Sequence, residues 1–349
     1  VVERKLLTEL PIARIAIVRS LPGLGDLLCA VPAWRALRAA FPQAQITLIG
    51  MPWARSFVER FNHYLDEFLE FPGYPGIPEI SPPHKLPEFL TSVQQQRFDL
   101  ALQMHGSGIV SNTFTTMLGA SVNAGFYLPG NYEPDPDYFL PYPTNEPEVW
   151  RHLRLIEYLG IPLQGDELEF PLTLEDFSSL QNIDEASSLR KGEYVCVHPG
   201  ASVPEKCWSV EKFAAIADAI AERGFQIVLT GTAPEANLTQ TLAAMMRTKP
   251  INLAGRTSLG AMAALLSSTA LLVCNDTGVS HLAAALRVKS IVIFTNSELH
   301  RWAPLNRDLH RVLCSDSVVI GTAEARRTQR EMVMAHVEEL LTKEVVNVT

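Results

Sequence analysis

Arg14-Ile15-Ala16-Ile17-Val18-Arg19-Ser20-Leu21-Pro22-Gly23-Leu24-Gly25-Asp26 is a short β-branched run that ends in a glycine-bearing loop. Ile15, Ile17 and Val18 suit an extended, buried strand, and the Pro22-Gly23 and Gly25 positions break it. Beyond the loop, Leu27, Leu28, Val31, Trp34 and Leu37 recur at helical spacing, with Arg35 and Arg38 on the polar side. Pro32 interrupts that pattern, so the helix must kink or restart there, and Pro42 ends it. Gln45-Ile46-Thr47-Leu48-Ile49 is then a second strand. Strand, loop, helix and strand in this order make a βαβ unit, which implies an α/β fold with a parallel sheet covered by helices.

The alternation continues outward. Phe98 to Gln103 reads as a strand running into the polar loop His105-Gly106-Ser107-Gly108. The Pro-, Tyr-, Asp- and Asn-rich stretch from Asn131 to Pro147 reads as loop, and Trp150 to Leu159 as an amphipathic helix. The polar stretch from Asp176 to Lys191 reads as a connector. The second half repeats the logic: strand Tyr194–Val197, loop His198-Pro199-Gly200-Ala201-Ser202, helix Val210–Arg223 closed by Gly224, and strand Gln226–Thr230 broken by Gly231 and Pro234. Helix Leu259–Ser268, strand Ala270–Cys274, loop Asn275-Asp276-Thr277-Gly278, a helix through His281 to Leu286 and strand Ser290–Phe294 follow. At 349 residues the chain exceeds what one core organises. Two Rossmann-like domains are expected, over 1–175 and 190–325, with a C-terminal helix over 326–349 packing back on the N-terminal domain.

Composition narrows the class. Hydrophobic residues at 47% and charged residues at 19% describe an ordinary globular protein. The net charge of −9 argues against nucleic-acid binding, and a local pair such as Arg326-Arg327 reads as a solvated face. The five cysteines show no CxxC spacing, so neither a zinc site nor a redox dithiol is expected and a reducing cytoplasm is favoured. Val1-Val2-Glu3-Arg4-Lys5 lacks the order of a signal peptide, and no apolar run approaches membrane-spanning length. At most a peripheral membrane contact is expected.

Three loops at strand ends carry candidate chemistry. Asp276 and Thr277 stand where a strand becomes a helix, so unpaired N–H groups and the helix dipole there suit a phosphate. Gly278 permits close approach, and His281 adds a donor within the first turn. An ordinary cap with a packed histidine explains these residues equally well. The His198–Ser202 loop leads to Lys206, a compact charge suited to a pyrophosphate, though a lone lysine is commonly just surface. In Gly23-Leu24-Gly25-Asp26 the third glycine of a dinucleotide fingerprint is replaced by Leu28, which argues against an NAD enzyme. Asp26 reads as an N-cap of a helix beginning at Leu27 or as a carboxylate base. No Walker loop, HExxH, GxSxG or metal-ligand spacing occurs.

Taken in order, three blocks resemble glycosyltransferase family 9, the heptosyltransferase family. They are Gly25-Asp26 with Val31-Pro32-Ala33, Leu37 and Phe41-Pro42; His198-Pro199-Gly200-Ala201-Ser202 with Lys206-Cys207-Trp208 and Phe213; and Asp276-Thr277-Gly278 with His281-Leu282-Ala283-Ala284-Ala285. The resemblance implies a GT-B fold, with two Rossmann-like domains whose parallel sheets face a central cleft. It implies metal-independent, inverting sugar transfer from a nucleoside diphosphate donor, ADP-heptose, to a hydroxyl of a glycan or glycolipid, without a cofactor. By position it makes Asp26 the general base and Lys206 the pyrophosphate ligand. Ser202, Gly231, Glu235, Asp276, Thr277, Gly278 and His281 fall on the donor side, with Glu235 near the ribose, and Arg19, His105 and Ser107 on the acceptor side. The chain departs from the lipopolysaccharide enzymes at Leu21-Pro22-Gly23 and in lacking a histidine among Leu27-Leu28-Cys29-Ala30, which leaves the acceptor and the sugar open. A GT-B sugar-nucleotide epimerase and a catalytically silent sugar-nucleotide binder are the alternatives.

Overall fold

The structure, a computed structural model, describes residues 6–77, 85–314 and 329–342. The chain divides into two compact units, Val1–Glu167 and Leu168–Thr349. In the first, β1 (Arg14–Val18), β2 (Gln45–Gly50), β3 (Glu67–Glu70), β4 (Leu100–Gln103), β5 (Val122–Tyr127) and β6 (Phe139–Pro141) form a sheet of order β3-β2-β1-β4-β5-β6. Every pairing is parallel. Among the described residues the unit's helices are α1 (Leu24–Leu28), α2 (Val31–Ala40), α3 (Ala54–Arg60), α4 (Lys85–Gln95) and α5 (Ser111–Thr116) between the strands, and α6 (Glu148–Tyr158) after β6. Ala16 and Val18 of β1 pack with Phe98, Ala101 and Phe114 on one face, while Ile15 and Ile17 are equally buried on the other. A parallel sheet covered on both faces needs such a run of apolar residues rather than alternation.

The second unit repeats the plan. It begins with α7 (Leu174–Gln181), followed by β7 (Tyr194–His198), α8 (Val210–Ala221), β8 (Gln226–Leu229), α9 (Ala236–Met245), β9 (Ile251–Asn252) and α10 (Leu259–Ser268). After these come β10 (Leu271–Asn275), α11 (Gly278–Ala285), β11 (Ser290–Phe294), α12 (Leu299–Trp302), β12 (His310–Cys314) and α13 (Gln329–Thr342). The strand order is β12-β11-β10-β7-β8-β9, again parallel throughout. In each unit the first strand therefore lies between its second and its fourth. The chain reverses direction of winding between β1 and β4, and between β7 and β10. Such switch points leave a crevice at the carboxyl ends of the two strands, where ligands bind in doubly wound sheets.

The first helix does restart. Pro32 occupies the first turn of α2, where its missing N–H costs nothing, and α1 is a separate single turn. The boundary lies between Glu167 and Leu168 rather than at 175–190. The reason is α7, which forms within the expected connector: Thr173 and Asp176 cap it reciprocally, and it packs on α10 of its own unit. The C-terminal helix also belongs to the second unit. Val333, Val337 and Leu340 enter the core beside α8 and β11. Arg326-Arg327 and the ends of the 326–349 segment lie outside the described residues.

Short, charged or glycine-bearing strands are missing from the sequence reading. β3 is Glu-Phe-Leu-Glu, too short for a period to emerge, and β6 hides within the Asn131–Pro147 stretch. In β5, Gly125 is required because Gln103 of β4 fills the space a Cβ would take, at 2.6 Å. If α13 completes the second core, Leu340→Ala should destabilise the protein by about 2–5 kcal/mol. Urea unfolding followed by tryptophan fluorescence checks this, and a loss below about 0.5 kcal/mol would place Leu340 outside the core.

Candidate functional site

At the second switch point, β7 ends in His198 and β10 ends in Asn275. Asn275 is fully buried and joins the two loops. Its Nδ2 donates to the main-chain oxygen of Pro199 at 2.7 Å, and its Oδ1 accepts from the Trp208 N–H at 3.0 Å. The Thr295 hydroxyl donates to the Glu205 carbonyl at 2.9 Å and fastens the same segment to the end of β11. These bonds hold the short helical turn Pro204–Lys206 in place, and Lys206 Nζ lies 3.4 Å from Asp276 Oδ2. The lysine head remains about a quarter exposed, whereas the Asp276 carboxylate is nearly buried.

Directly after Asp276 the chain turns into α11 with Thr277 as its N-cap, in extended conformation and without a side-chain cap bond. Ser280 instead donates through both its N–H and its hydroxyl to the Thr277 carbonyl. The first N–H groups of α11, those of Gly278 and Val279, therefore receive no capping oxygen from the Thr277 side chain. His281 is buried and packs edge-on against Trp302 at 5.9 Å between ring centroids.

Glu235 approaches from the β8 side. Its Oε2 accepts from the N–H and the hydroxyl of Thr232, at 2.6 and 2.8 Å, and lies 3.9 Å from His198 Nε2. Gly200 has no room for a side chain because Glu235 Oε1 occupies the position of a Cβ, and Gly231 is pressed by Glu235 and Ala254. His198 Nδ1 is 3.0 Å from the Thr230 hydroxyl, and burial lowers the imidazole pKa despite the carboxylate nearby. Ser202 is exposed on the same loop. Cys207 is half-buried, and burial first, then Glu235, raises its thiol pKa, so it stays protonated.

At the first switch point, Asp26 is not the cap of a helix beginning at Leu27. The turn starts at Leu24 with Gly23 as N-cap, which puts Asp26 at its third position. The carboxylate folds over Gly23, where a Cβ would collide with Oδ2, and keeps 21% of its side-chain surface exposed. His105 lies across the crevice at the end of β4. The Ser20 N–H donates to its Nδ1 at 3.3 Å, so the ring proton resides on Nε2. Burial and then the Arg19 charge lower its pKa to about 4. It is neutral at pH 7. Ser107 is half-buried on the same loop, whose anchor is Gln103, donating to the His105 carbonyl at 2.5 Å and to Ser111 Oγ at 2.6 Å.

Arg19 turns inward. Its guanidinium is fully buried and donates to main-chain oxygens of Asp26 and Met104. The acceptor-side reading of this residue is therefore corrected to an internal one. Glu148, 3% exposed at the start of α6, lies 3.5 Å from Arg19 and from His152 and 3.3 Å from Arg151. Sequence reasoning passed over Glu148, Arg151 and Asn275. A polar residue in an apolar pattern is the signal each carries, yet Asn275 meets Trp208 across 67 positions and Glu148 meets Arg19 across 129, while Arg151 bonds locally to Glu148, Tyr142 and Thr144. Among the described residues no three His, Cys, Asp or Glu side chains converge as a ligand set, and no helix is long and apolar enough to cross a membrane.

Residues 88–329 match the model of glycosyltransferase family 9 (heptosyltransferase). The chain belongs to glycosyltransferase family 9. Lipopolysaccharide heptosyltransferase 2 of Escherichia coli K12 is 25% identical over 300 residues, which cover 81% of this chain and 83% of that protein. In fold, this family 9 enzyme is similar to a family 9 glycosyltransferase from Veillonella parvula DSM 2008, with TM-score 0.77, 21% identity and coverage of 95% and 97%. It is likewise similar to E. coli heptosyltransferase WaaC with ADP, with TM-score 0.69, 18% identity and coverage of 94% and 100%. The fold is GT-B, and the enzyme is a heptosyltransferase-like glycosyltransferase.

Two outcomes follow for the family 9 enzyme. Asn275→Ala strips partners from a buried N–H and a buried carbonyl, each costing about 1–3 kcal/mol, so urea unfolding should show a loss of at least about 2 kcal/mol; wild-type stability would deny the strut. His152, buried and neutral, has its pKa lowered to about 4, by burial first and then Arg19. Its stabilising contribution is complete above the unfolded value of about 6.5 and is lost as pH falls towards 4, because the unfolded state takes up the proton first. Between pH 7 and 5 that loss is about 2 kcal/mol. His152→Phe should shrink the wild-type stability drop over this range by that amount, as read by urea titrations at both values.

Proposed function

We propose that this chain transfers heptose from ADP-heptose to a hydroxyl of a lipopolysaccharide-type glycolipid, with inversion and without a metal ion. The observation that carries this reading is the juxtaposition of Lys206 and Asp276 at the second switch point, immediately ahead of the uncapped start of α11. The names of the relatives supply the donor and acceptor class: one is a lipopolysaccharide heptosyltransferase, another a heptosyltransferase with ADP. A glycolipid acceptor calls for peripheral membrane contact on the cytoplasmic side.

In this reading the donor pyrophosphate accepts from the N–H groups of Gly278 and Val279, and the helix dipole favours the charge that grows on it. Lys206 adds a full positive charge, and Asp276 holds its ammonium beside the crevice until the phosphate competes for it. His281 and Ser202 complete the phosphate side, Glu235 meets the ribose, and Gly231 lets the nucleotide approach the backbone. The acceptor hydroxyl attacks the anomeric carbon as its proton passes to the Asp26 carboxylate. The bond from that carbon to the phosphate oxygen breaks, and the nucleoside diphosphate leaves with the electron pair. Attack opposite the leaving group inverts the anomeric centre. His105 and Ser107 face the acceptor, and His105, neutral with its proton on Nε2, donates rather than abstracts. The N–H groups and Lys206 stabilise the leaving group without a cation.

Asp26→Asn keeps the shape of the first turn of α1 but removes the proton acceptor. Turnover should fall by about a hundredfold or more while ADP binding stays near wild type. Undiminished turnover would dismiss Asp26 as base. Lys206→Ala should weaken ADP binding by about 1–3 kcal/mol at low salt and by less at high salt, as measured by calorimetry. Exhaustive EDTA treatment should leave the rate essentially unchanged. Loss of activity on chelation, restored by magnesium, would end the metal-independent reading.

A further inference from the structure

We propose that Arg19 is the positioning residue for Asp26, with Glu148 as its counter-charge; the inference rests on the reading of Asp26 as general base. The carboxylate is carried by α1, a single turn of five residues that has little stability of its own. Its direction must be imposed from outside. Arg19 Nε and Nη2 both donate to the Asp26 carbonyl, at 2.8 and 2.5 Å, while Nη1 donates to the Met104 carbonyl at 2.5 Å. One planar cation thus ties the catalytic turn to the ends of β1 and β4, the two strands of the switch point. Glu148 reaches the same Nη2 from α6, with Oε1 at 3.5 Å.

A buried positive charge attracts the Asp26 side chain from within the unit. Arg19 Nη2 lies 4.0 Å from Asp26 Oδ1, close enough to attract the carboxylate. Arg19 and Arg151 are countered by Asp26 and Glu148, while His105 and His152, both with pKa lowered to about 4, stay neutral. The Arg19 side chain is wholly buried and cannot touch an acceptor, so its effect passes through Asp26. Lysine offers a single ammonium and cannot reproduce a fork shared between two carbonyls.

The test compares Arg19→Lys, Glu148→Gln and Asp26→Asn in the full-length enzyme, with steady-state kinetics and calorimetric ADP binding. Arg19→Lys should lower kcat by about ten- to a hundredfold, the scale of a misplaced catalytic group, with donor KM and ADP Kd within about twofold of wild type. Glu148→Gln, which keeps the side chain's size, should lower kcat by a smaller factor in the same pattern. In an Asp26→Asn background neither change should reduce turnover further by more than about twofold, because a base that is gone cannot be misplaced. Should Arg19→Lys fail to fold, the Glu148→Gln pair of measurements carries the test. The inference is overturned if both variants keep wild-type kcat while Asp26→Asn loses activity, if their losses multiply in full with that of Asp26→Asn, or if ADP binding weakens in step with kcat. Full turnover in Asp26→Asn alone would instead remove the base assignment on which the inference stands.

Discussion

Each sheet is parallel throughout, so every strand of a unit delivers its carboxyl end to the same edge and every connection must return over a face. That constraint governs the rest. It forces both faces of β1 and β7 to be apolar, since helices cover both, and it gathers all the polar turns at one rim. Where the winding reverses, the two central loops diverge onto opposite faces and leave a crevice that no crossover fills. Asp26 and His105 flank one such crevice, Lys206 and Asp276 the other.

Polar chemistry at a rim has to be held in place, and this chain does so from inside. Asn275 and Arg19 play equivalent parts in the two units. Each is buried at the end of a central strand, and each gives its hydrogen bonds to main-chain groups of the loops that carry the outward-facing residues. A side-chain-to-backbone bond fixes a loop without fixing the sequence of its exposed members. Removing such a buried polar group leaves its partners without water or protein to satisfy them, so the arrangement is stable only when complete.

The glycines follow from the same crowding. Gly200 lies against the Glu235 carboxylate, Gly23 against that of Asp26, and Gly125 against Gln103. In each case the missing side chain is the space that a nearby polar group needs. The Gly23-Leu24-Gly25-Asp26 motif is therefore less a phosphate loop than a turn shaped around its own aspartate. This agrees with the absence of a third glycine, which had already separated it from the dinucleotide-binding fingerprint.

The sequence by itself determined the α/β class, the two-unit organisation, an interruption of the first helix at Pro32 and the loops that hold Asp26, Lys206 and Asp276. These are local matters: β-branched runs, helical spacing, prolines and strand-end glycines act over a few residues and leave a readable period. Only the tertiary structure decided that α7 and α13 belong to the second unit, because an amphipathic stripe shows that a helix packs without showing on what. It alone turned Arg19 from an acceptor-side candidate into an internal strut, brought Glu148 to it across 129 positions, and seated Asp26 within a helical turn rather than ahead of one. Burial and pairing of a charge depend on groups far apart in the chain, and no window of sequence contains both partners.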